Sequence, residues 1–238
     1  VLSCSGALFE ELRRKEFFGL AELPLKRFKR WQSAYSPLSP LSQARTIASS
    51  VAFNAMAFKT VHLLHPHAPA LTCSTYLLDN KILHRKIREE GGAYGCGASY
   101  NALFGTFCLQ SYRDPHIAET FQTFEKAIES VALGHFDKRD LEEAKLGVVQ
   151  ALDSPISPGS RGLTAYTRWR EGRTIEMRQR LREELLALSE KDVRQAIDKE
   201  LVPKKEQSVA ISFAGKELLE QENAKLTHWR ESFPILAI

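Results

Sequence analysis

Arg88 and Tyr94 are the residues of this sequence whose types and spacing could do chemistry. They flank Glu89-Glu-Gly-Gly-Ala93, where a charged helix end breaks on paired glycines and an aromatic strand begins. A guanidinium presents a planar fork of donors that matches carbonyl and carboxylate oxygens, and a phenol adds one more O–H. Placed on one rim by the double-glycine turn, the two could hold peptide carbonyls or stabilise an oxyanion. Each also has a plain structural role. An Arg in the last helical turn suits the helix dipole, and Tyr is an ordinary strand residue.

Other candidates are weaker. His62-Leu-Leu-His65-Pro-His67 has spacings of three and two, a Pro interrupts it, and no carboxylate lies in the segment. Zinc sites on helices want His at i and i+4 with a nearby carboxylate, so the segment reads as a surface loop. Neither HxxEH nor its inverted form occurs, and no metal site is expected. Ser157 and Ser160 lie in a Pro/Gly loop without a Gly-x-Ser-x-Gly elbow. Cys96 reads as a small packed residue between glycines. Glu89-Glu90 and Glu142-Glu143 read as solvated helix faces. The spacing of Gly91, Gly92, Gly95 and Gly97 lacks the strand-then-helix order of a dinucleotide loop.

These residues need elements to position them. Thr72 to Arg88 is helical by pattern, with Tyr76, Leu78, Ile82, Leu83 and Ile87 on one side and Lys81, His84, Arg85 and Arg88 on the other. Gly91 and Gly92 stand where a helix C-cap wants positive φ. Tyr94–Tyr100 and Phe104–Tyr112 read as a hairpin turning near Asn101. Ile117, Phe121, Phe124, Ile128 and Val131 make one apolar helical stripe. Asp137 is an N-cap for a helix carrying Leu141, Ala144, Val148 and Leu152. Helices are expected around 175–188 and from the Ser189 cap to Leu201, with a strand at 207–213.

Elsewhere the pattern predicts a short strand over 1–8, a charged helix over 8–18, and a strand or hairpin over 44–64. The segment from Ser154 to Ser160 is expected as a loop. Residues 1–40 read as the tail of an upstream region or a linker, and 41–238 as one domain. Antiparallel strands with segregated helices give an α+β class, with a mainly antiparallel sheet and helices on one face.

With 238 residues, 43% hydrophobic and 26% charged, the chain can bury a sizeable core. A net charge of +4 does not argue for nucleic acid, and no apolar run is long enough to span a membrane, so neither partner is expected. No signal peptide is expected at Val1, and the missing initiator Met suggests a fragment. Four scattered cysteines without a CxxC pair fit reduced thiols in a cytoplasmic or organellar-matrix compartment.

One resemblance adds to this. Leu83-His-Arg-Lys-Ile-Arg-Glu-Glu-Gly-Gly-Ala-Tyr-Gly95, Phe104-Gly-Thr-Phe107 and Gln110-Ser-Tyr-Arg-Asp-Pro115 resemble the C-terminal region of presequence-protease-like members of the insulinase/pitrilysin zinc metallopeptidase family. Phe136-Asp-Lys-Arg-Asp-Leu-Glu-Glu-Ala-Lys145 and the Ser154-Pro-Ile-Ser-Pro-Gly159 loop extend it over most of 44–215. The resemblance implies the last domain of a chambered oligopeptidase whose substrates are short unfolded peptides. It implies that Arg88 binds a substrate carbonyl and Tyr94 helps stabilise the tetrahedral intermediate. It also implies zinc in the full-length protein, none in this chain, and an N-terminal catalytic half as partner, so that this chain alone should be inactive. The alternative is a catalytically silent structural or peptide-binding module of the same fold.

Overall fold

The computed structural model describes residues 4–22, 24, 42–226 and 231–237. By contact density the chain separates into two compact units, one drawn from residues 1–39 and 153–180, the other from 40–152 and 181–238.

In the first unit, α1 (Gly6–Arg14) starts where a strand is predicted. Ser5 is its N-cap and accepts the Leu8 N–H at 3.3 Å, which nucleates a helix instead. A 3-10 turn over Glu16–Glu22 follows. The expected linker from Pro24 to Pro40 lies, apart from Pro24, outside the described residues. A second helix of this unit, α5 (Pro158–Arg170), occupies part of the predicted loop. Pro158 sits in the first turn, where a missing N–H costs nothing and the fixed φ favours a helix, so the Pro-Gly pair starts an element rather than breaking one.

The second unit is built on a six-stranded sheet, among the described residues, in the order β3-β4-β2-β5-β1-β6. Its strands are β1 (Gln43–Thr46), β2 (Ala52–Lys59), β3 (Gly95–Asn101), β4 (Thr106–Asp114), β5 (Val209–Ala214) and β6 (Ile235–Ala237). The class is α+β, but the sheet is mixed rather than mainly antiparallel. β3, β4, β2 and β5 pair antiparallel in turn, whereas β1 runs parallel to both β5 and β6. The strand or hairpin predicted over 44–64 is two strands that do not pair with each other, because β5 inserts between them. The connection over 47–51 arches across the end of β5: the Ile47 N–H donates to the Ala214 carbonyl at 2.9 Å. A Cβ at Gly215 would come within 2.5 Å of the Ser49 carbonyl oxygen, so only glycine fits under that arch.

Strand alternation assigns one sheet face to the core. Met56, Phe58, Phe107, Leu109 and Ala210 are fully covered, while Phe53, Ala55, Ile211 and Phe213 on the other face are half-buried. Helices α2 (Ala68–Leu78), α3 (Ala118–Leu133), α4 (Lys138–Asp153), α7 (Glu190–Glu200) and α8 (Lys216–Leu226) contribute most of the remaining core. The predicted α3 stripe is buried at every position, and Asp137 caps α4 by accepting the Asp140 N–H at 2.9 Å. Ser189 and Asp192 close a capping box on α7, and α6 (Ile175–Ala187) precedes it. No element is expected from pattern beyond Phe213, where α8 and β6 lie. Among the described residues no helix is long and apolar enough to cross a membrane.

Two buried polar arrangements meet at the start of α3, one from the sheet and one from α8. Asn54 Nδ2 donates to Ser111 Oγ at 3.0 Å and to the His116 carbonyl at 2.9 Å, and its Oδ1 accepts from Ser212 at 2.7 Å. Glu222, 3% exposed, accepts the Ile117 and Ala118 N–H groups at 2.9 and 3.0 Å, placing a carboxylate on the positive end of α3. Burial pushes the Glu222 acid up, but its bonds to Lys225 and to those two N–H groups outweigh burial and hold it below the ordinary 4.5. A depressed acid stabilises the fold while ionised; the contribution is present above the ordinary range and lost as pH falls through the folded value. Glu222→Gln is expected to cost about 2 kcal/mol at pH 7 and to flatten the acid limb of stability against pH. Urea unfolding at pH 7 and 4 checks this; equal losses at both pH values would contradict it.

Candidate functional site

The rim that carries Arg88 and Tyr94 is made by the end of one long helix. α2 continues without a break into a π-helix over Asp79–Glu90, in which Leu83 and Ile87 are buried. At its end Gly92 takes φ +77°, and the Gly92 and Ala93 N–H groups donate to the Arg88 and Ile87 carbonyls at 3.1 and 3.0 Å. Gly91, at φ −86°, is needed for a different reason: a Cβ there would lie 2.8 Å from the Ile87 oxygen and 3.0 Å from that of Lys86. The chain then turns onto the sheet, where the Tyr94 N–H donates to the Arg113 carbonyl at 3.2 Å.

Tyr94 is 70% exposed and is the first of three rings along the open sheet face. Its ring lies 5.8 Å from that of Tyr112, and Tyr112 lies 5.2 Å from Phe53, both edge-to-face. Arg113 carries φ +50° and is the extra residue between Tyr112, opposite Phe53, and Asp114, opposite Ala52. That bulge points both Tyr112 and Arg113 to solvent, and the Arg113 guanidinium stands 5.7 Å from the Tyr112 ring centre. Beside the rings runs a groove of about 570 Å³ lined by Phe53, Ala55, Gly95, Gln110, Ile211 and Phe213. Sequence reasoning missed Phe53, Tyr112 and Arg113 as members of this site. The signal was the break in alternation at Tyr112-Arg113.

Arg88 is exposed, and its Nη1 lies 2.9 Å from His84 Nε2, so the guanidinium is drawn back along its helix. No described contact joins it to Tyr94; the turn holds the two as neighbours in backbone, not in hydrogen bonding. The helix face expected to be basic is mostly ion-paired. Lys81 meets Asp140 at 2.7 Å, and Arg85 and Lys86 meet Glu90 at 2.8 and 2.6 Å.

The chain offers no activated nucleophile among the described residues. Burial pushes the Cys73 thiol to about 12 and the Cys96 thiol to about 11, and it also raises Cys108. All four cysteines are free, with Cys4 exposed rather than buried. Ser157 Oγ donates to Ser160 Oγ at 2.8 Å, which gives neither a base.

The His62–His67 segment lies in turns before α2, as a loop reading expects. The carboxylate that it lacks in sequence arrives through the fold, however: His67 Nδ1 is 3.0 Å from Glu200 Oε1. His65, His67 and Glu200 form the one three-ligand grouping among the described residues. They lie at the N-terminal end of the helix whose other end bears Arg88, about 30 Å away along its length. This set is not the zinc motif of a peptidase, and neither form of that motif occurs in the sequence.

A family model described as the PreP C-terminal domain matches residues 44–216. Mitochondrial presequence protease of Kluyveromyces lactis is 40% identical over 169 residues, covering 71% of this chain and 17% of that protein. The Xenopus laevis protein of the same name is 41% identical over 145 residues, covering 60% of this chain and 14% of its own. The chain thus spans under a fifth of the length of these curated relatives. Solved structures share the fold at low identity. A peptidase M16 inactive domain from Pseudomonas fluorescens superposes with a TM-score of 0.63 at 15% identity, over 90% of this chain and 52% of that one. A protease from Helicobacter pylori gives 0.62 at 17% identity, over 88% and 53%.

Two outcomes follow from the rim's geometry. Gly92→Ala, with room for the methyl beside Pro115 at 3.9 Å, is expected to cost only the left-handed backbone, about 1–2 kcal/mol. Gly91→Ala drives a Cβ into fixed carbonyls and is expected to cost more; denaturant unfolding of both variants tests the order. Beneath the start of β3, Asp79 Oδ1 accepts the Ala98 N–H at 2.6 Å, and burial raises its acid from 3.8 to about 6 despite that bond. A raised acid contributes stability fully present below 3.8 and lost as pH rises through about 6. Asp79→Asn keeps an acceptor and removes the charge. It is expected to raise stability at pH 7 by on the order of 2 kcal/mol and to remove the decline between pH 4 and 7, both readable from urea titrations.

Proposed function

The chain belongs to the PreP C-terminal domain family, and from that premise we propose that it is the non-zinc-binding last domain of a zinc oligopeptidase that degrades short unfolded peptides. In this reading the open sheet face borders the substrate. The groove beside Phe53, Tyr112 and Phe213 accepts apolar side chains of an extended peptide, and the donors at its rim face the peptide backbone. Arg88 binds a substrate carbonyl through its guanidinium fork once substrate draws it from His84. Tyr94 donates its phenolic O–H to the oxygen that becomes negative as the carbonyl carbon turns tetrahedral. The rigid double-glycine turn sets the spacing of the two donors without conformational search.

The observation that carries this reading is Tyr94: a large ring left 70% exposed at the end of an aromatic row, on the sheet face where Phe53 and Phe213 are only half-buried. The zinc falls to residues outside this chain, together with the base, so the chain alone has no peptidase activity. The mitochondrial naming of the relatives at about 40% identity supports an organellar matrix as its location. A second reading, a catalytically silent domain of the same fold, is favoured by the description of the Pseudomonas fluorescens neighbour as inactive.

Reconstitution separates the two. The chain is mixed with the N-terminal half of its parent protein, zinc and a fluorogenic peptide. Tyr94→Phe is expected to lower kcat about 100-fold with little change in KM, as loss of one oxyanion donor does. Arg88→Ala should lower kcat/KM at least about tenfold, a loss of transition-state stabilisation of about 1.4 kcal/mol or more. Rates unchanged by both substitutions would assign the silent role instead.

A further inference from the structure

We propose that His65, His67 and Glu200 form a binding site for a zinc-like divalent transition-metal ion that bridges the start of α2 to the end of α7. Two imidazoles and one carboxylate are the donor set such ions prefer. One ligand atom from each lies within 4.8 Å of the other two, although Glu200 is 133 residues from His67 in sequence. A tetrahedral ion about 2.1 Å from each donor needs ligand atoms about 3.4 Å apart. The His67–Glu200 edge, at 3.0 Å, is already near that value.

The donors are held before any ion arrives. Pro66 separates the two histidines, the His65 N–H donates to the His62 carbonyl at 2.9 Å, and the Leu71 N–H donates to that of His67 at 2.9 Å. The two rings stand 4.9 Å apart at 67°, and the side chains of His67 and Glu200 are 21% and 12% exposed, sheltered yet reachable from solvent. Glu200 ends α7, whose Val193, Ala196 and Ile197 are wholly buried, so its backbone cannot drift. Without an ion, His67 Nδ1 bonds to Glu200 Oε1, Lys204 Nζ donates to Oε2 at 3.1 Å, and the His67 N–H donates to His65 Nδ1 at 3.1 Å. Binding puts the metal where the His67–Glu200 hydrogen bond now lies: the neutral His67 ring binds through Nδ1 as its Nε2–H tautomer, and the Glu200 carboxylate turns its oxygen from that bond to the ion. Three protein ligands leave a further position for water.

An ion that binds only the folded chain raises its stability by mass action, and this one would add a metal bridge between two helices that otherwise meet through packing and the His67–Glu200 contact. The test strips the 238-residue chain with chelator and titrates it with Co²⁺, following visible d–d absorption, then with Zn²⁺ by competition and thermal unfolding. One equivalent is expected to bind with tetrahedral or five-coordinate bands and to raise Tm. His65→Ala, His67→Ala and Glu200→Gln should each weaken binding at least tenfold, while His62→Ala, outside the donor set, should not. Glu200→Gln keeps the size and a hydrogen-bonding group, so its far-UV circular dichroism separates lost binding from lost folding. Absence of a saturable cobalt signal, or a signal indifferent to His67→Ala and Glu200→Gln, would overturn the proposal.

Discussion

Residue 91 faces two carbonyl oxygens that leave room for a hydrogen and nothing larger. This steric limit, with the left-handed turn at Gly92, ends a helix that runs from Ala68 and sends the chain onto the sheet within two residues. Everything at the rim inherits its position from that turn. Arg88 stays on the last helical turn, Ala93 is buried as an anchor, and Tyr94 begins the pairing with β4. A looser connection would leave the phenol and the guanidinium on a mobile loop, where donors lose their value because they must be ordered at each encounter.

The second constraint is the one-sided cover of the sheet. Helices bury one face around Phe58, Phe107 and Phe121, the Asn54 network fixes where the strands meet the start of α3, and Glu222 ties α8 to the same point. Asn54 can sit in the core because its donors and its acceptor are all matched, whereas a half-matched amide there would be a liability. The other face keeps aromatic groups half-exposed, and Tyr112, the last residue before the Arg113 bulge, packs edge-to-face against Tyr94. The same rigidity serves the opposite end of the helix, where α2 and α7 bring His67 to Glu200.

Much of the local structure was legible. The four-three stepping from Ile117 to Val131 marks a helix because only a 3.6-residue period gathers those side chains, and all are buried. Asp137 and Ser189 act as caps through their own side chains, a property of the residue and its next turn. The geometry of the candidate site was half legible: Arg88 and Tyr94 stand at a turn that two adjacent glycines announce. Less legible were the places where a local rule has two meanings. Pro158-Gly159 reads as a breaker but opens α5, and the run from Ala44 to Leu64 reads as a strand or hairpin although it holds two strands that pair with β5 and not with each other.

What the sequence determined by itself were the periods, caps and glycine turns, because each depends on residues within one or two helical turns of one another. Pairings across long separations were left to the assembled fold. β5 slides between β1 and β2 and makes the sheet mixed; Tyr112 joins Tyr94 in the aromatic row; Glu200 comes to His67; and His84, not Tyr94, holds Arg88. None of these leaves a periodic trace. Each is settled by which surfaces the whole chain can bury together, a balance no short stretch of residues contains.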